Sequence, residues 1–139
     1  MPNKLMEYFN KQPRIGTLST ANREGDVDSA VFGSPRMVDE KTVVMALGNG
    51  RTLEYLQENP HAVYLIMEPG ASVMDWKGLR VCLLMTACET SGEGLETFKR
   101  QIAEVVGEEA AEMVDAAVTF EVTEVRPLID IGQGWENSI

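Results

Sequence analysis

The sequence is short of the residues on which most catalytic and metal chemistry is built. It contains one histidine, His61, and two cysteines, Cys82 and Cys88. A lone imidazole excludes multi-histidine metal clusters, and a Ser-His triad would have to be built on that one residue. His61 follows Asn59-Pro60 at the start of a strand-like run, a place suited to a surface or capping role. The cysteines share one apolar run, where strand geometry would hold their Cα atoms roughly 20 Å apart, beyond disulfide reach. They read as reduced, buried thiols, which fits a cytoplasmic address.

Basic residues are also few, 12 Lys and Arg against 22 Asp and Glu, for a net charge of −10. Nucleic acid and anionic membrane both reward clustered cations, so neither is expected as a partner. No apolar run reaches the length of a signal-peptide core or a membrane span, and there is no repeat or low-complexity segment. What is present is a globular composition, 44% hydrophobic and 24% charged, in 139 residues. That is the length of one domain, with a core large enough to need no disulfide or metal. A single domain over residues 1–139 is therefore expected.

Asn3 precedes a short helix running to about residue 11, with Leu5, Tyr8 and Phe9 on its apolar side. Residues 14–20 and 27–32 read as a hairpin around Asn22-Arg23-Glu24-Gly25. Asp39-Glu40-Lys41 is a second turn, and Thr42 to Leu47 is strongly strand-like. Leu53 and Leu56 then show helical spacing, and Asn59-Pro60 closes that helix. Strands follow at 61–67 and 79–90, the second apolar on both faces through Val81-Cys82-Leu83-Leu84-Met85. Such a strand belongs to a barrel that also forms a subunit interface. Leu95, Phe98, Ile102 and Val105 mark another helix, Gly107 ends it, and residues 118–122 form a last strand. The pattern predicts a mainly β protein: a six-stranded antiparallel barrel, closed or nearly so, with short outer helices and a tail over 124–139.

Two segments can carry chemistry. In Gly48-Asn49-Gly50-Arg51-Thr52 a strand passes through a glycine turn into a helix start, offering free N–H groups, a guanidinium and a hydroxyl to an anion. The same residues also suit a plain turn with a solvent-facing Arg51 and Thr52 as N-cap, and spacing alone leaves both readings open. Residues 29–36, Ser-Ala-Val-Phe-Gly-Ser-Pro-Arg, allow close approach to a flat ligand or a simple barrel corner. No catalytic or metal-ligating residue stands out. A phosphate cradle without acid, base or metal machinery suggests a cofactor that does its own chemistry.

Taken together, the hairpin through Asp28-Ser29-Ala30-Val31, the strand Thr42 to Leu47, the turn Gly48 to Thr52 and the exit Glu58-Asn59-Pro60 resemble the pyridoxamine 5′-phosphate oxidase-like family of FMN-binding split barrels. The match runs over most of residues 10–123, and the order of its motifs is more specific than any one of them. The resemblance implies FMN at a homodimer interface. It implies that Ala30, Val31, Phe32 and Gly33 line the ring and ribityl chain, that Ala46 and Leu47 run beside the ring, and that Asn49, Arg51 and Thr52 hold the phosphate. A residue from the partner's C-terminal part often closes such a site, and Trp135 is the candidate. After the last strand the chain reads Val125-Arg126-Pro127-Leu128 where the oxidase has a basic motif for its substrate phosphate. The resemblance is thus to the small FMN-binding proteins, and implies a flavin-dependent oxidoreductase or an electron carrier with a small-molecule or protein redox partner, not pyridoxamine-phosphate oxidation. F420 or haem on the same fold, or a flavin-binding regulatory domain without turnover, are the alternatives.

Overall fold

Asn3 caps the first helix as its place before an apolar run predicts: its side-chain oxygen accepts from the Met6 N–H at 3.0 Å. The computed structural model describes residues 3–139. Helix α1 (Lys4–Asn10) leads into β1 (Ile15–Ala21), β2 (Val27–Val31), β3 (Arg36–Asp39) and β4 (Thr42–Leu47). After α2 (Arg51–Glu58) come β5 (His61–Glu68), β6 (Lys77–Glu89), α3 (Glu93–Val106), α4 (Glu108–Glu112) and β7 (Ala116–Pro127). No helix among the described residues is long and apolar enough to cross a membrane.

The strands form one antiparallel sheet in the order β2-β1-β5-β6-β7-β4-β3. This corrects the sequence reading in two respects: there are seven strands, not six, and the sheet is open. The missed strand is β3, four residues paired only with β4. Its edges β2 and β3 are nevertheless consecutive in the chain. Laid flat, seven strands would separate those edges by roughly 29 Å, whereas the connection 32–35 can span at most about 18 Å. The sheet must therefore roll, bringing its edges near each other without pairing them.

Rolling gives every strand an inner and an outer face. Leu18, Met37, Val43, Met45, Tyr64, Val81 and Phe120 point inward and are fully or almost fully buried. Phe9 from α1 and Leu53 and Leu56 from α2 complete this core. The outer face is half-buried, with Val63, Leu65, Cys82, Leu84, Val44 and Ala46 at alternate positions. Both cysteines lie on β6 and are free.

One polar cluster ties α1 to the sheet. Tyr8 donates its hydroxyl to Glu68, and Lys11 Nζ sits 3.5 Å from the other carboxylate oxygen. The Tyr8 hydrogen bond, aided by the Lys11 charge, holds the Glu68 carboxyl below its usual range despite some desolvation. Burial, and then the bond to Glu68, pushes the Tyr8 phenol up. A depressed carboxyl contributes stability that is complete above its unfolded pKa, about 4.3, and lost as pH falls through the folded value. The raised phenol contributes below its unfolded pKa of about 10 and loses that contribution as pH rises through the folded value. Tyr8→Phe should therefore flatten the acid limb of a plot of Tm against pH below about 4. An acid limb identical to wild type would contradict the assignment.

Candidate functional site

Strand β4 alternates strictly, so Val43, Met45 and Leu47 enter the core while Thr42, Val44 and Ala46 face outward. Helices α3 and α4 stand beside that outward face. Between them runs a groove of about 710 Å³, lined by Gly33, Arg36, Val44 and Ala46 on the sheet side and by Phe98 and Ile102 on α3, among others. The volume is that of a small-molecule site, and the lining is mainly apolar with Arg36 as a cation at its side. Val105, on the same helix, also lines the groove and is 83% exposed, so α3 leaves part of its apolar stripe uncovered.

Beyond Leu47 the chain turns through Gly48-Asn49-Gly50 directly into α2. Gly50 occupies the N-cap position and offers no side-chain hydrogen bond, so the first-turn N–H groups lack a side-chain cap. This overturns the reading of Thr52 as N-cap: Thr52 lies inside the helix, is buried, and faces the protein. A Cβ placed on Gly50 would meet nothing within 4 Å, so the turn is open on that side. The Arg51 side chain is 66% exposed and approaches Asp28 on β2 at 3.7 Å. The Asn49 N–H is already taken, donating to Asp115 Oδ2 at 2.8 Å.

These donors fit a phosphate monoester: an uncapped helix start, its partial positive charge and an exposed guanidinium whose contact with the half-buried Asp28 is loose. Two carboxylates, Asp28 and Asp115, oppose it at close range. Neither belongs to the glycine turn: Asp28 stands on β2, and Asp115 directly precedes β7.

The other site residues divide by strand periodicity. Val31 faces outward and is 75% exposed, whereas Ala30 faces the interior beside Leu18. Gly33 lines the groove with Ala46, but Leu47 is a core residue and Phe32 packs against the core. Trp135 begins a short 3-10 turn, Trp135–Ser138, and packs on the core of its own chain. That turn contacts the β6 and β7 ends near Leu79 and Pro127, while Arg51 follows the Leu47–Ala116 end. Trp135 and Arg51 of one chain therefore lie at opposite ends of the sheet. His61 is exposed at the start of β5, with β6 and β7 between it and β4.

No family model matches the chain. No curated protein matches it in sequence. Solved structures do match in fold. An FMN-binding protein from Syntrophomonas wolfei superposes with a TM-score of 0.71 at 21% identity, covering 89% of this chain and 82% of that one. The H111A variant of HupZ from Group A Streptococcus gives a TM-score of 0.72 at 17% identity, covering 92% and 100%. HutZ, the haem storage protein from Vibrio cholerae, gives 0.62 at 16% identity, covering 87% and 90%. An F420 reductase and an FAD-binding protein from Mesorhizobium loti share the fold at 14% identity each. The cofactors named for these proteins are thus FMN, FAD, F420 and haem, all on one scaffold. A putative pyridoxamine 5′-phosphate oxidase from Lactobacillus delbrueckii gives a TM-score of 0.61 at 14% identity, covering 89% and 92%, and with its rolled, unclosed antiparallel sheet the chain has the fold of the pyridoxamine 5′-phosphate oxidase-like split barrels.

Proposed function

We propose that the protein binds FMN, with the flavin ring in the groove beside β4 and the phosphate at the start of α2, and that it serves as a redox protein. The observation that carries this reading is continuity. One strand presents Ala46 to an apolar groove and then passes, within a few residues, into an uncapped helix start bearing Arg51. An apolar slot followed along the same strand by an anion cradle suits a flat ring carrying a phosphate tail. Bound FMN would supply the electron-transfer chemistry. The chain's part is to hold the phosphate with Arg51 and the α2 N–H groups, and to shield the ring with Val44, Ala46, Phe98 and Ile102. The one histidine of the sequence lies away from the groove, which favours a flavin there over a haem held by imidazole.

The reading includes a homodimer. Ile15, Val27 and Val31 are 52%, 77% and 75% exposed on the outer face, beside half-buried Val63, Leu65 and Leu84. An apolar strip of that kind calls for a cover, and in this reading a second copy provides it. Reduced Cys82 and Cys88 suit a cytoplasmic address, and the electron partner is a small molecule or a protein.

Titration with FMN, riboflavin, FAD, F420 and haem tests the cofactor. FMN should bind tightest, and riboflavin more weakly by the loss of its phosphate contacts. Tightest binding by F420 or haem would overturn the assignment. Because Asp28 competes for Arg51, Asp28→Asn should tighten FMN by up to about fivefold and leave riboflavin unchanged, as read by flavin fluorescence quenching. Weaker FMN binding in that variant would show Asp28 to be part of the cradle.

A further inference from the structure

The two sheet edges are joined by residues 32–35, and this segment forms the rim of the groove through Gly33 and Ser34. The Phe32 and Pro35 carbonyls are part-buried, where an unpaired C=O would cost free energy, while that of Gly33 is exposed. Arg14, just before β1, supplies donors to them. Its guanidinium donates to Gly33 O at 2.9 Å and to Pro35 O at 2.7 Å, and also to Phe9 O at 2.6 Å. Tyr64, fully buried on β5, donates its hydroxyl to Phe32 O at 2.6 Å. The guanidinium lies over the rings of Phe9 and Tyr64, 5.2 and 5.1 Å from their centroids, which are 5.4 Å from each other. A planar fork lying against two rings that touch each other, with three carbonyls accepting from it, has few other positions open to it. On the groove side the Ser34 hydroxyl reaches Ala46 O at 3.4 Å.

We propose that Arg14, seconded by Tyr64, is a positioning residue of the flavin site, holding the Phe32–Pro35 connection at the height where Gly33 and Ser34 wall the groove. The proposal rests on the FMN reading above. It separates two kinds of contribution: Arg51 acts on the phosphate, whereas Arg14 acts on the wall beside the ring.

The test compares Arg14→Gln and Tyr64→Phe with Arg51→Ala in the full chain. Arg14→Gln should weaken FMN and riboflavin by the same factor, on the order of tenfold, and alter the visible circular dichroism of the bound flavin at saturation. Tyr64→Phe should move both in the same direction by less. Arg51→Ala should weaken FMN alone. In the protein without flavin, hydrogen exchange should quicken at the amides of Phe32, which begins the segment, and Met37, just beyond it, and stay unchanged at Val81 in the sheet centre. Should Arg14→Gln not fold, Tyr64→Phe carries the same comparison. Unchanged riboflavin affinity and unchanged flavin dichroism in a folded variant overturn the proposal, even where exchange quickens. If wild-type protein binds neither flavin, the FMN reading fails and the proposal with it, and the exchange result then shows only whether the clamp exists.

Discussion

Replacing Arg51 by alanine is expected to weaken FMN binding roughly 10- to 150-fold, the equivalent of about 1.5–3 kcal/mol for a charge-assisted contact to phosphate. Riboflavin, which has no phosphate, should bind the variant as it binds the wild type. The fold should change little, because Arg51 is largely exposed and its contact with the half-buried Asp28 is loose at 3.7 Å. Arg51→Lys should fall between, since an ammonium keeps the charge and loses the two-pronged donor. Equal losses for FMN and riboflavin would move Arg51 from the phosphate to the ring. No loss for either would remove it from the site.

The second large effect concerns stability. Gly78→Ala should destabilise the fold by about 3 kcal/mol, lowering Tm by roughly 10 °C. Gly78 stands at φ +149°, and a Cβ there would lie 1.9 Å from Ile66 O on the neighbouring strand. That contact is with backbone in the β5–β6 ladder, so relief requires the strands to part. The Gly78 carbonyl also accepts from Leu128 N at 3.1 Å and from Ser138 Oγ at 2.8 Å, so the C-terminal tail is anchored on the same residue. Gly25 offers the control. It has φ +90°, but a Cβ there would meet nothing within 4 Å, so Gly25→Ala carries conformational strain without collision and should cost about 1 kcal/mol. Similar losses at the two glycines would show that the Ile66 contact is relieved cheaply.

Most elements were legible because each had a local cause. Asn3 before an apolar run, Asn59-Pro60 after one, and Gly107 at φ +103° fixed helix ends at or near where they stand. Strand β3 was not legible. Gly33-Ser34-Pro35 and the turn at 39–41 leave three residues between them, too few to show a period, and β3 owes its strand conformation to β4. The open sheet was equally hidden, since whether the neighbouring strands β2 and β3 pair depends on how the five strands between them in the sheet roll.

The site shows a finer division. The turn and Arg51 were visible as a motif, while the residues around the ring were read as runs, Ala30 to Gly33 and Ala46-Leu47. A strand cannot present neighbours to one side, so Val31 and Ala46 face outward and Ala30 and Leu47 face in. Alternation at β4 alone would have excluded the Leu47 side chain, which is 2% exposed. Asp115 and Arg14 carried no signal of any kind. Their partners are backbone groups 66, 19 and 21 residues away, and only the rolled sheet brings them together.

The most direct measurement is the visible absorbance spectrum of the freshly purified protein, followed by mass spectrometry of whatever denaturation releases. A yellow protein with flavin bands, releasing FMN in proportion to chain, is the predicted result. A colourless protein whose added FMN keeps its full fluorescence would contradict the account, and so would a haem spectrum.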